Sequence, residues 1–254
     1  MRKPALVALL VTVMLSLVAS AFAGEITKDE LKKALNEHPE VILDFLRAHP
    51  IEVYEAAESG IKMKERAEKQ DRREAELAKP LMPVMDPSRI LVGQPGAPIS
   101  VFVYSDFFCP FCARGAKTMD ALEAAHPGQV QLIFKHMPGH EFSRLAALYF
   151  EAILLQDQEK AKNFHDLVFA SQAKLARNGE KGLKKVAAEV HADMARLNAD
   201  LESPELAARL DADNKEATTF GFQGTPSFIV NGVSVEGAQP LSEFEEIIRQ
   251  TSKR

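Results

Sequence analysis

The chain has 254 residues, 46% of them hydrophobic and 26% charged, with a formal net charge of −5. That is enough sequence to bury a real core, and the ordinary composition excludes a fibrous or wholly disordered chain. A mildly acidic balance gives no electrostatic reason to expect nucleic acid or an anionic membrane as partner.

Residues 1–23 read as a signal peptide. Arg2 and Lys3 form a positive start, Ala5 to Val18 an apolar run, and Ala21-Phe22-Ala23 a small-residue cleavage site ahead of Gly24. The run is shorter than the roughly 20 residues a spanning helix needs. The expected product is soluble after cleavage, in an oxidising space such as a bacterial periplasm. Its net charge without residues 1–23 is −7.

Residues 24–79 read as a helical stalk, distinct in pattern from the remainder of the chain. Thr27-Lys28-Asp29-Glu30 has the spacing of a capping box ahead of Leu31, Ala34 and Leu35. His38-Pro39 and His49-Pro50 interrupt and restart the helical pattern, giving the pseudo-repeat HPEVILDFLRA and HPIEVYEAAES. Val41, Ile42, Phe45 and Leu46 share one helix face, as do Val53, Tyr54 and Ala57. Lys62 to Lys79 is charge-rich and reads as a solvated helix that holds the preceding unit away from the rest. So short an apolar unit can scarcely bury its own face. An oligomerisation segment is the expectation, with a helical extension packed back on its own domain as the alternative.

Pro80, Pro83 and Pro87 mark residues 80–89 as a linker, and the second domain spans 90–254. Ile99 to Tyr104 is dense enough in β-formers for a buried central strand, and runs straight into Asp106-Phe107-Phe108-Cys109. A helical pattern continues through Ala113, Ala116, Met119 and Leu122, and Val130 to Phe134 supplies a parallel second strand. Residues 141 to about 220 are almost wholly helical in pattern. Ser227–Val230 and Val233–Val235 flank Asn231-Gly232, a signal for a tight hairpin. An amphipathic helix from Leu241 to Ile248 closes the chain.

The cysteines are two, Cys109 and Cys112, separated by Pro110 and Phe111. A bridge closing so short a loop constrains the unfolded chain little, and is better suited to switching than to stapling. The pair falls where a strand gives way to a helix, whose unpaired N–H groups and partial positive charge favour a thiolate on the first sulfur. The thiolate is the attacking species in disulfide exchange. Cys109 is therefore expected as nucleophile and Cys112, one turn on, as the resolving thiol. Zinc wants four ligands and the chain has no second cysteine pair. His136 and His140 could in principle complete a site, but neither a metal nor a cofactor is expected. The second element is Gly224-Thr225-Pro226-Ser227-Phe228-Ile229-Val230, with a proline opening an apolar strand.

FFCPFC after a strand, a long helical insertion, GTPSFIVNG and a final helix resemble the DsbA-like branch of the thioredoxin-fold family, from about Ile90 to the C-terminus. The resemblance implies an α/β thioredoxin fold with an all-helical insertion, a cis-proline at Pro226 lying against the cysteine pair, and Thr225 as the residue whose backbone pairs with a substrate peptide. The stalk with its paired His-Pro steps is further similar to copper-sensitivity suppressor (ScsC-type) members, which oligomerise through an N-terminal segment. Two departures stand out. Phe111 replaces the histidine of strongly oxidising CPHC members, and Thr225 resembles isomerases and reductases. By the same resemblance, Val103 and Gln131 stand where relatives carry a buried acid and a lysine. The expected function is disulfide isomerase or reductase on exported proteins, with Pro110 and an apolar rim of Phe107, Phe108 and Phe111 as contact surface, or with Phe107 as core instead. The expected partners are exported thiol or disulfide proteins, a redox protein that resets the dithiol (membrane-bound by preference) and further copies of the chain as a dimer or trimer. A dithiol oxidase and, in another class, a Cu(I)-binding protein are the alternatives.

Overall fold

The computed structural model describes residues 27–252, so the signal-peptide reading lies outside the described residues. The chain divides into two compact units, one ending at Ala67 and one beginning at Glu68. Among the described residues no helix is long and apolar enough to cross a membrane.

The first unit is built from α1 (Lys28–Glu37), α2 (Glu40–Ala48) and the first part of α3 (Pro50–Ala78). The capping box forms: the Glu30 backbone N–H donates to Thr27 Oγ1, and the Thr27 N–H donates to the Glu30 carboxylate at 2.9 Å. His38 and His49 end α1 and α2, and the proline after each supplies a backbone angle that starts the next helix. Neither α1 nor α2 has a buried residue. Val41, Ile42, Phe45, Leu46 and Tyr54 are all exposed, with Phe45 at 61%. Helices of 9 and 10 residues gain little from propensity alone.

The second unit is organised on a five-stranded sheet of order β1-β3-β2-β4-β5. Its strands are β1 (Ile90–Val92), β2 (Ile99–Ser105), β3 (Val130–His136), β4 (Ser227–Val230) and β5 (Val233–Glu236). The central β2 pairs in parallel with β3 and antiparallel with β4. Between β2 and β3 the chain crosses over through α4 (Pro110–Ala125), completing the expected βαβ unit. The insertion comprises α5 (Glu141–Leu154), α6 (Gln158–Ala170), α7 (Gln172–Asn178), α8 (Glu180–Glu189), α9 (Met194–Asp200) and α10 (Pro204–Thr219). Asn231 and Gly232 take the positive φ values, 47° and 86°, that a tight hairpin requires, and α11 (Leu241–Thr251) packs behind.

Two readings of the sequence need correction. The charged segment before the linker is not solvated throughout. Arg72 pairs with Glu236, Lys69 and Arg73 pair with Glu243, and the Glu76 carboxylate accepts from the Ser234 backbone N–H at 2.7 Å. The physical reason is that β5 is an edge strand whose free N–H needs an acceptor, and Glu76 supplies one. The proline-rich segment 80–89 likewise lies on the domain. The Leu81 N–H donates to the Gly232 carbonyl at 2.9 Å, and that of Val84 to the Glu216 carboxylate at 2.6 Å.

One buried ionic cluster ties segment, sheet and insertion together. Arg89 ends a 3₁₀ turn (Pro87–Arg89), and its guanidinium donates to both Asp213 oxygens, at 2.7 and 2.6 Å, and to Glu151 at 2.6 Å. His136 Nε2 meets the same Glu151 oxygen at 2.9 Å, while the His136 N–H donates to Asp213. Burial alone would push the Glu151 carboxyl up, but His136 and Arg89 together bring it down to about 2. Removing one member of such a cluster leaves charge buried and unpaired. Arg89→Met is expected to cost about 3–5 kcal/mol in urea unfolding at pH 7. Glu151 is held below its ordinary 4.5, so its contribution is present above that pH and is lost as pH falls toward 2. The same unfolding series from pH 6 to 2 should show that loss in the wild type and a smaller one in the variant, where His136 still holds Glu151.

Candidate active site

The two sulfurs occupy the junction of β2 and α4. Cys109 is the N-cap of α4, with Pro110 as its first residue, where no N–H is needed. One turn in, the Cys112 N–H donates to the Cys109 carbonyl at 3.1 Å. Both cysteines are thiols. Cys109 is partly exposed, whereas Cys112 is 1% exposed. Burial pushes the Cys112 thiol up to about 12, outweighing hydrogen bonds from the Asp106 backbone, Ser105 and Thr225 that favour the thiolate, and Cys109 beside it adds repulsion. The Asp106 N–H reaches Cys112 Sγ at 3.4 Å.

The loop from Gly224 closes over this junction from the other side. Cys109 Sγ donates to the Thr225 carbonyl at 3.4 Å, and the Thr225–Pro226 bond is cis. Pro226 rests on Gly115 of α4, where a Cβ would lie 3.1 Å from Pro226 Cγ and 3.0 Å from Phe228 Cζ. The helix must be bare at that point for the loop to reach the sulfurs. Asp106 fixes the loop before the cysteines: its carboxylate accepts from the Phe108 N–H at 2.7 Å, the Gly139 N–H at 2.7 Å and Ser143 Oγ at 2.6 Å. From the insertion, Gln172 Nε2 donates to the carbonyls of Phe107 and Cys109, at 2.8 and 2.9 Å.

Around the sulfurs Phe111 is 51% exposed, with the Arg114 guanidinium over its ring at 4.4 Å. Phe108 is half-buried and its ring lies 4.5 Å from that of Phe142. The arrangement offers one accessible sulfur, one buried sulfur one turn behind it, and the Thr225 backbone beside an apolar rim. That is a geometry for thiol–disulfide exchange on an extended peptide.

The Thioredoxin family profile matches residues 86–250, about two thirds of the sequence. The chain belongs to the thioredoxin family. It is 33% identical over 150 residues to a probable disulfide bond formation protein D of Bacillus anthracis, covering 56% of this chain and 69% of that one. The solved structure of a thioredoxin-like oxidoreductase from Silicibacter pomeroyi DSS-3 is similar at 29% identity with a TM-score of 0.59, covering 66% of this chain and 95% of that one. Proteus mirabilis ScsC shares the fold at 20% identity and a TM-score of 0.58, over 88% of this chain and 99% of that one. The chain spans only about a quarter of the length of the curated Na(+)/H(+) antiporters it also matches, for example 27% of that of Herminiimonas arsenicoxydans. The helical insertion that the sequence leads one to expect lies between β3 and β4.

Within this thioredoxin framework Cys109, Cys112, Pro110, Phe108, Phe111, Thr225 and Pro226 lie together, and other expectations are corrected. Phe107 is no part of an exposed rim. It is 1% exposed among the rings of Phe134, Phe150 and Phe169, at 5.2–5.6 Å, because it follows β2 inward. His136 and His140 do not join the cysteines: the first is held by Glu151, and the second caps α5 by accepting from the Ser143 N–H. Among the described residues, His136, Glu151 and Asp213 are the one set spaced for a cation. The Arg89 guanidinium already occupies both carboxylates, so the set fits a resident cation poorly. Gln131 pairs across the sheet with Ser100 and accepts from the Gly96 N–H, and Val103 pairs with Phe134. Sequence reasoning missed Asp106, Gln172 and Gly115. A lone glycine inside a helical pattern was a usable signal for the last; nothing marks a glutamine sixty residues away. With reduced protein at pH 7, iodoacetamide is expected to label Cys109 and leave Cys112 unmodified. A thiol near 12 has a thiolate fraction about three orders of magnitude below that of an ordinary one. Peptide mass spectrometry of timed samples checks this.

Proposed function

We propose that this is an exported protein thiol–disulfide oxidoreductase, working as an isomerase or reductase in the periplasm. The observation that carries the reading is the placement of Cys109 Sγ, at a helix N-terminus and on the Thr225 carbonyl, with Cys112 buried one turn behind. Cys109 thiolate attacks a substrate disulfide. One substrate sulfur joins Cys109 and the other leaves as thiolate. Cys112 then attacks Cys109, forming the Cys109–Cys112 bond and releasing the substrate thiol; in isomerisation a substrate thiolate does so instead. Thr225 and Pro226 hold the substrate backbone, and Phe108, Phe111 and Pro110 hold its apolar side chains. Phe111 supports this direction because a phenyl ring cannot hydrogen-bond to a thiolate or carry charge, and a less stabilised dithiol makes a weaker oxidant. The oxidised form is reset by a redox partner, which we place in the membrane.

A second reading has one observation of its own: the Bacillus relative is named for disulfide bond formation. The equilibrium potential against glutathione separates them. A value near that of protein disulfide isomerase, about −180 mV or lower, is expected, and one near −120 mV would make the protein an oxidase. In either case Cys112→Ser should accumulate mixed disulfides with exported proteins through Cys109, visible on non-reducing gels. Their absence would remove the exchange mechanism. The Cu(I) reading gains no support from these comparisons.

The exposed face of α1 and α2 is best explained by contact with further copies of the chain, making residues 24–79 an oligomerisation stalk. Sedimentation should give a dimer or trimer for the mature protein and a monomer for the Ile42→Glu, Phe45→Glu double variant. A monomeric wild type would end this part of the reading.

A further inference from the structure

Resolving a mixed disulfide requires Cys112 as thiolate, and the structure makes that difficult. The sulfur is 1% exposed, and burial raises the cost of its charge. A base must therefore be within reach. Cys112 forms part of the wall of a narrow cavity between α4, α6 and the sheet, with about 10 Å³ of free space, room for about one water. Most of the wall is apolar, including Val103, Leu132, Phe134 and Phe169. The polar groups on it are Ser105, Asp120, Lys162 and His165.

Three of these four are poor acceptors. Ser105 is a hydroxyl with no charge to offer. Lys162 is a cation held by Asp166 at 2.7 Å and by Asp120 at 3.3 Å. Asp120 is engaged with that cation, and its side chain is 57% exposed. His165 differs. Its ring is buried against Phe107, Phe134 and Phe169, and its Nδ1 lies 2.8 Å from Asp166 Oδ1. A carboxylate only accepts, so Nδ1 carries the ring proton and Nε2 is left with the basic lone pair. Burial among aromatic rings favours the neutral ring.

We propose that His165 is the proton acceptor for Cys112 when the mixed disulfide is resolved. The Cys112 Sγ proton passes across the cavity to His165 Nε2. Cys112 Sγ then bonds to Cys109 Sγ, the bond from Cys109 to the substrate sulfur breaks, and the electron pair leaves on that sulfur as thiolate. Asp166 is the positioning residue that sets the tautomer and supports the imidazolium. The other titratable groups around the ring are Lys162 and Asp166 on its own helix and Asp120 and Cys112 on α4. Lys162 opposes a second positive charge, while Asp166 and Asp120 favour it.

The proposal rests on Cys112 being the resolving thiol, and one experiment tests both. Reduced protein is mixed with oxidised glutathione in stopped flow from pH 5.5 to 9, following attack by Cys109 and then release of glutathione from the mixed disulfide. In His165→Gln, attack should be unchanged. Release should slow at least tenfold at pH 7 and become proportional to hydroxide concentration. Asp166→Asn, which keeps the ring, should give a smaller slowing with the same change in pH profile, and serves if His165→Gln does not fold. Wild-type release rates at every pH in a folded His165→Gln or in Asp166→Asn would overturn the proposal. Release from Cys112→Ser as fast as from wild type would instead overturn the assignment of Cys112 itself.

Discussion

The structure around the sulfurs depends on one carboxylate. Asp106 sits immediately after the central strand, and takes hydrogen bonds from the loop that carries Cys109, from the turn after β3 and from the first turn of α5. A charged acceptor with three donors is worth several ordinary hydrogen bonds in a buried setting, and loses most of that value if any donor moves away. It therefore fixes where the strand stops, where the helix starts and how the insertion sits above them. With the packing of Pro226 on Gly115 and the Gln172 hydrogen bonds, that tie sets the N-terminus of α4 against the Gly224–Pro226 loop.

From this anchoring comes the asymmetry of the two cysteines. The residue at the N-cap is exposed because the helix begins there; the one three positions on is carried under the loop by the helical turn. Chemistry that needs one sulfur to find a partner and the other to wait is thus written into the helix geometry. The same insertion that shields Cys112 supplies His165 and Gln172, so it is a working wall of the site and more than a covering. Its attachment to the sheet through the Arg89, Glu151 and Asp213 cluster sets the position of that wall, at a large desolvation cost that only complete pairing offsets.

Much of this was legible in the residues. The periodicity of Ile99 to Tyr104, the helical spacing after Cys112 and the Asn231-Gly232 turn each report a local preference that the fold keeps. The cysteine pair and Thr225-Pro226 were legible for the same reason, since short-range motifs state their own geometry. What could not be read is long-range: that Phe107 points inward while Phe108 and Phe111 border the sulfurs, that Glu76 serves an edge strand 158 residues away, and that Gln131 faces Ser100. Parallel register is set by packing on both faces of the sheet. Charge patterning alone could not distinguish a solvated helix from one whose charges find partners in another part of the chain.

The first unit poses a different physical problem. Its capping box and His-Pro steps specify where helices begin and end, yet no residue of α1 or α2 is buried. Local signals define these helices without stabilising them, since short helices with an open apolar face are marginal in water. Association would bury that face, and the stability of α1 and α2 would then vary with protein concentration by mass action. The catalytic unit has its own core and needs no such help. An assembly joined in this way keeps each dithiol intact while setting several of them at shared distances from a single misfolded substrate, which raises their effective concentration toward it without adding any contact at the sulfurs.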